Sequence, residues 1–343
     1  MNLQGWVRLF SKISLVFVFV VIIAGSVVRI TGSGMGCPDW PRCFGYNIPP
    51  FTIDPLLFAE DHEYGIKQMI IRNDTLWVAN ESFTSAREFN RNDWHKYPKH
   101  DYAIFNPVHT WIEYINRLAT ILFGIPVSIL FVLSIFYWIR KKDVGTFLLA
   151  GFTMLMLAFE AWLGKMVVDG NLKENSITYH MIGSVAIVAL LLVLVYRHRK
   201  TKMQFEVPGK FRVLIFLMGA LAFVQIMLGT QVREEIDVIA KNIDQRSSWI
   251  ENLSGMFSLH RSFSILISGV AIGLLFMNKK LQHSIAQVNA VVAAVALEVI
   301  VGIVLSYCAM PKLMQPLHLL LGIMLFAFAF YAMLLTARKN ASA

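Results

Sequence analysis

Charge is what this sequence has least of. Only 15% of its 343 residues are Asp, Glu, Lys or Arg, against about 25% in ordinary soluble domains, while 56% are hydrophobic. That balance excludes a water-soluble domain. The apolar residues gather in runs of about twenty, the length that crosses ~30 Å of hydrocarbon. Eight such runs are read near 12–31, 110–139, 144–168, 177–196, 211–232, 256–277, 285–308 and 313–336. An Arg-rich, acid-poor leader is also missing, which argues against a mitochondrial precursor. The first run continues too smoothly through Gly25-Ser-Val-Val-Arg29 to be a cleaved signal peptide. Cysteine is scarce. Cys37 and Cys43 lie close together after the first run, where an oxidising compartment permits a disulfide and two free thiols are the alternative. No second ligand pair follows to complete a zinc site, and Cys308 has no obvious partner.

Acids are the rarer sign, 22 against 31 basic residues, for a net charge of +9. That excess does not call for a nucleic-acid partner, because the basic residues fall in short connections on one side. They are Arg8 and Lys12; Arg140, Lys141 and Lys142; Arg197, Arg199, Lys200 and Lys202; Lys279 and Lys280; Arg338 and Lys339. The positive-inside rule places these connections and both termini in the cytoplasm. Glu234, Glu235, Asp237 and Asp244 lie in an opposite connection. The expected fold is an all-α integral membrane protein of eight helices in two pseudo-symmetric four-helix bundles. An extended outer loop, 32–109, joins helices one and two. It is too aromatic for disorder, and short strands are expected around Lys67–Arg72 and Thr75–Val78.

The two bundles, 1–200 and 201–343, are read from a repeat. Gly25-x-x-x-Arg29 in span one matches Gly229-x-x-x-Arg233 in span five. Asn116-Arg117 in span two matches His260-Arg261 in span six. Ala158-Phe159-Glu160-x-x-x-Gly164 matches Ala296-Leu297-Glu298-x-x-x-Gly302, and His180 opens span four as His318 opens span eight. Four matches in order, with four spans per half, imply halves inserted the same way up.

Of nine histidines, His62, His95 and His100 belong to the outer loop, and His198 and His283 sit among cytoplasmic basic residues. His180, His260 and His318 lie just inside the outer ends of apolar helices, where an ionisable group is costly and usually functional. Each alone could be a histidine bonded to a neighbouring helix. His260 and His318, on the second and fourth helices of one bundle, could instead hold one haem iron from both sides. Arg233 and Arg261, at the same depth, could pair with its propionates. Snorkelling is the plainer reading of these arginines, but Arg29 and Arg117 repeat both positions. In the N-terminal half Asn116 stands where His260 would, and an amide is a poor haem ligand. A haem held by His180 alone has an open face, with Glu113 on the same side of the helix as Asn116. His109 is the competing ligand, but it lies two turns, about 10.5 Å, further out. Glu160 and Glu298 either relay protons or bond across the bundle.

These residues resemble a known family. Arg29-Ile-Thr-Gly-Ser-Gly-Met-Gly-Cys-Pro-Asp-Trp-Pro41 with Cys43 is similar to the first-loop signature of haem A synthases. So are Glu113-Tyr-Ile-Asn-Arg117, His180, His260-Arg261 and His318. The resemblance covers nearly the whole chain apart from about 50–105. It implies oxidation of the C8 methyl of haem O to the formyl of haem A for terminal oxidases. It implies a substrate haem O site in the N-terminal half, with Glu113 as the catalytic acid. A haem b site in the C-terminal half and a Cys37–Cys43 disulfide also follow from it. The family's usual Glu-x-x-His-Arg has Asn116 in place of the histidine. The partners it implies are a haem O synthase and the terminal oxidase assembly in a bacterial inner membrane; a homo-oligomer is allowed. Two rival readings are a non-catalytic dihaem cytochrome b and a haem-binding transporter.

Overall fold

The computed structural model describes residues 2–169, 176–200 and 205–337; Lys202, Arg338 and Lys339 lie outside them. Eight described helices are long and apolar enough to cross a membrane. They are α1 (Leu3–Thr31), α2 (Pro107–Lys141), α3 (Val144–Asp169), α4 (Ser176–Arg197), α5 (Gly209–Asn242), α6 (Gly255–Lys279), α7 (Ala286–Tyr307) and α8 (Met314–Thr336). All eight expected spans are there. Five short strands lie between α1 and α2: β1 (Glu63–Tyr64), β2 (Met69–Arg72), β3 (Thr75–Ala79), β4 (Phe83–Thr84) and β5 (Trp94–Lys96). The chain is a multi-pass membrane protein, and it divides into two compact units. One comprises Met1–Ile23, Leu122–Glu160 and Ile177–Ala343; the other comprises Ala24–Ile121 and Ala161–Ser176.

The first unit is the helical one. A single apolar core takes Val18 from α1, Leu130 from α2, Leu157 from α3 and Leu191 from α4. It also takes Ile215, Ile267, Val291 and Ile323 from α5 to α8. The last four helices pack in a ring, α6 between α5 and α7, and α8 between α7 and α5. Faces turned away from the core remain apolar: Leu148, Phe152 and Leu155 on α3 and Ile265, Ile272 and Phe276 on α6 are exposed. Exposed stripes of that size suit hydrocarbon, not water.

α5 runs ten residues beyond the expected span end at 232. The hydropathy of Arg233-Glu-Glu-Ile-Asp falls, but Val232 and Ile236, one turn apart, continue the stripe and are buried in a cluster with Trp249 and Met310. Tertiary packing, not span hydropathy, sets that helix end.

His198 also departs from its sequence neighbourhood. It is 2% exposed, with Nε2 2.9 Å from the Thr146 hydroxyl and the Tyr137 ring edge-on at 5.1 Å. Burial pushes its pKa down to about 4, with the Arg197 charge helping and Asp143 opposing. Burial alone would raise the Asp143 carboxyl, but hydrogen bonds from Arg197 and Thr146 outweigh it and hold it at about 2. His198 stays neutral when folded and charges when unfolded. Stability is therefore expected to fall as pH drops from the ordinary 6.5 to about 4 and then level off. Asp143 contributes stability that is lost only between its ordinary 3.8 and about 2. Thermal unfolding in detergent across pH 7–4 checks this: His198→Gln should flatten the upper part of the curve, and an unchanged slope would refute the assignment.

The second unit carries the strands. Asn73 and Asp74, both with left-handed φ of 50° and 51°, form the two-residue turn of the β2–β3 hairpin, whose register pairs Arg72 with Thr75 and Met69 with Val78. That turn suits the twist of the flanking strands. β5 adds antiparallel to β3, and β1 pairs β4. The expected strands are both present; β1, β4 and β5 were not anticipated. Tyr64 and Trp94 are buried beneath Phe58, Phe83 and Phe89, so the aromatic excess of this segment is a core.

Candidate functional site

In the helical unit, α6 and α8 bring two imidazoles close together, edge to face. The His260 and His318 ring centroids are 6.1 Å apart with planes at 82°. Two metal–imidazole bonds of ~2 Å plus ring offsets of ~1 Å on each side sum to about 6 Å. The centroid separation matches that sum, the spacing an iron shared by the two rings would need. Nδ1 of His260 is buried without a hydrogen-bond partner, and its backbone carbonyl accepts from Gln225 Nε2 at 3.1 Å. Small residues give both rings room. A Cβ on Gly229 would lie 3.2 Å from the His260 ring, and one on Gly302 3.7 Å from that of His318. Arg233 Nη1 donates to Gln315 Oε1 at 2.6 Å and Nη2 pairs with Asp237 at 2.7 Å. Arg261 is exposed and lies over the Phe257 ring at 5.7 Å.

His180 is in the same unit. Its Nδ1 stands 2.7 Å from Glu160 Oε2 on α3, and Nδ1 of His318 likewise meets Glu298 Oε2 on α7. In neither pair does the ring nitrogen make an aligned hydrogen bond to the oxygen, so each is a close nitrogen–oxygen approach between neighbouring helices. The sequence left proton relay and a bond across the bundle both open; the structure sets each acid against a histidine of the next helix. The repeated Glu-x-x-x-Gly frame on α3 and α7 was visible, but the register that sets it against the next helix was not. Sequence reasoning also missed Thr178 near the start of α4. Its hydroxyl is 3.0 Å from that of Thr230 and accepts from Gln231 Nε2 at 2.8 Å.

The second unit holds the other candidates together. Cys37 and Cys43 form a disulfide with S–S 2.06 Å, and both are fully buried. Glu113, 4% exposed, accepts from the Cys37 backbone N–H on Oε2 at 2.8 Å and pairs with Arg117 through Oε1. Arg117 donates further to the carbonyls of Asp39 (2.6 Å), Arg42 (2.8 Å) and Cys37 (3.1 Å). The Thr110 hydroxyl donates to the Gly36 carbonyl at 2.8 Å. A Cβ on Gly36 would come within 2.4 Å of the His109 carbonyl, so only glycine lets the loop approach α2 this closely. Burial pushes the Asp39 carboxyl up, opposed by the Gly45 N–H, which donates at 2.9 Å. The buried Oδ1 of Asn116 has no partner and lies 3.8 Å from a Cβ built on Gly25. Gly25 thus stands to Asn116 as Gly229 stands to His260. Arg29 is half-buried in the last turn of α1 and His109 half-buried in the first turn of α2. Among the described residues no three His, Cys, Asp or Glu side chains gather as a bare metal-ion site.

The profile of the family described as "Cytochrome oxidase assembly protein" (COX15-CtaA) matches residues 8–83 and 73–330. The chain belongs to this family. Curated relatives carry one name. A "Heme A synthase" of Shewanella oneidensis is 27% identical over 71% of the chain, and the match spans 62% of that protein. Proteins of the same name from Shouchella clausii and Flavobacterium psychrophilum are 24% and 21% identical over 94% and 92% of the chain and 95% and 94% of their own lengths.

Proposed function

We propose that this protein is a haem A synthase, oxidising the C8 methyl of haem O to a formyl group for terminal oxidase assembly in a bacterial inner membrane. The observation that carries the reading is the His260–His318 pair, spaced for one iron, on a chain similar over nearly its full length to proteins named "Heme A synthase". The N-terminal half, 1–200, takes haem O as substrate, with His180 on its iron and Arg29, Arg117 and Asn116 among its pocket residues. The C-terminal half, 201–343, holds a haem b between His260 and His318, with Arg233 and Arg261 toward its propionates. When bound, that haem supplies one-electron redox capacity; the protein supplies position, ligands and electrostatics. Both termini are assigned to the cytoplasm and the segment 32–109 to the outer side by the charge bias of the connections.

The substrate carbon goes from methyl to alcohol and then to hydrated aldehyde. Each step takes an oxygen from water and gives up two protons and two electrons, the electrons passing to an oxidant of the respiratory membrane outside the chain, and the hydrate then loses water. Glu113 orients the water or accepts a proton. It is suited to this because two of its roughly four lone-pair sites are already fixed by Cys37 N–H and Arg117. Coexpression with a haem O synthase, followed by extraction and mass analysis of the haems, tests the reaction. Haem A is expected. Haem O alone beside well-folded protein would leave an electron-passing cytochrome or a haem carrier.

A further inference from the structure

Each half sets a glutamate against the outer nitrogen of the histidine that opens its fourth helix. Glu160 Oε2 stands 2.7 Å from His180 Nδ1, and Glu298 Oε2 meets His318 Nδ1. Both carboxylates are nearly buried, with side chains 7% and 14% exposed. Each also has a seat on the histidine's own helix. A Cβ on Gly183 would fall 1.8 Å from Glu160 Oε1, and one on Gly322 3.2 Å from Glu298 Oε1. Those Oε1 atoms are buried without partners, while Ser184 Oγ donates to Glu160 Oε2 at 3.4 Å. A buried carboxylate with one oxygen unpartnered is a poor choice for holding helices together, since it costs desolvation. Its partner must give something back.

We infer that Glu160 and Glu298 are positioning residues: each stands where it takes the Nδ1–H of its histidine when His180 and His318 present Nε2 to a haem iron, and so makes them strong donors. The inference rests on the haem reading of the two halves and deepens it. An imidazole can ligate through either nitrogen, and the partner on the second nitrogen fixes the tautomer and the ring's orientation. A carboxylate there also makes the ligand more basic, which favours ferric over ferrous iron and lowers the potential. Among the described residues no carboxylate stands at ion-pair distance from His260, as Glu160 and Glu298 stand from His180 and His318. The C-terminal iron would therefore have one carboxylate-backed ligand and one ordinary ligand. In the N-terminal half the backed histidine is the only imidazole at the repeat's two ligand positions, since Asn116 replaces the other.

The test uses purified holoprotein and reads haem spectrum, haem release and midpoint potential. Glu298→Gln keeps an acceptor for Nδ1–H but removes the charge. It should retain the low-spin spectrum with the potential shifted upward. Glu298→Ala should release haem about 10–100-fold more readily, as outer-shell losses commonly do. Gly322→Ala, which only crowds the carboxylate's seat, should shift the potential the same way. For the other half, Glu160→Gln and Gly183→Ala should alter the absorption spectrum of added haem O. His318→Ala is the reference. If it loses the low-spin haem while Gln, Ala and Gly322→Ala leave potential and release rate unchanged, the carboxylates are mere packing and this inference is overturned. If His318→Ala itself keeps the haem, the ligand assignment fails and the inference falls with it.

Discussion

A His260→Ala protein is expected to lose the six-coordinate low-spin haem signal, and His318→Ala to do the same. The rings stand 6.1 Å apart and nearly perpendicular, so an iron shared between them would need both at once. Losing an iron ligand should cost more than the ~10–100-fold typical of an outer-shell partner. The reduced-minus-oxidised spectrum of purified protein reads the outcome. Added imidazole should enter the space vacated in His260→Ala and restore six-coordination, because that space is bounded on one side by Gly229. Gly229→Ala gives a milder version, since its Cβ would press on the His260 ring at 3.2 Å and tilt it. An unchanged low-spin spectrum in His260→Ala would sink the ligand pair.

Much of this architecture was legible because membrane spans are written in local composition. Eight apolar runs became eight helices, and the two strands expected from Lys67 to Val78 formed one hairpin about Asn73 and Asp74. What sequence could not supply was pairing at a distance. β5 joins β3 across a stretch that holds β4 and a single 3-10 turn, Arg91–Asp93, and three residues carry no alternation to read. His198 looked like part of a basic connection, yet Thr146 and Tyr137 enclose it. The end of α5 was set by Trp249 and Met310, remote in sequence from Ile236.

The candidate site divides the same way. Histidine positions repeat in the sequence, so His180, His260 and His318 could be picked out one by one. Whether Glu160 and Glu298 meet them depends on the rotation of α3 against α4 and of α7 against α8, which no periodicity reports. Arg117 illustrates the converse. Its sequence position suggested a haem propionate, and its guanidinium is committed to three loop carbonyls and Glu113. Backbone acceptors leave no mark in a sequence.

That commitment sets up the sharpest test of Glu113. If its work is only to clamp the disulfide loop to α2, glutamine should keep most of it: the amide oxygen still accepts from Cys37 N–H and Arg117 keeps its three carbonyls, at the loss of the Arg117 ion pair. If it handles a proton, glutamine cannot. Glu113→Gln is therefore expected to fold, keep the Cys37–Cys43 disulfide and the low-spin haem, and yet lose ~10²-fold or more in haem A formation, the usual worth of an acid–base group. Glu113→Ala removes both roles. It leaves the Arg117 charge without its carboxylate in a buried place, a loss that can cost about 3–5 kcal/mol, so lower yield and a loosened loop should accompany inactivity. The two variants separate the roles only together: equal, near-normal haem A output from Glu113→Gln would reduce Glu113 to a clamp. Output lost in Gln with the fold intact makes it the group that acts on the substrate.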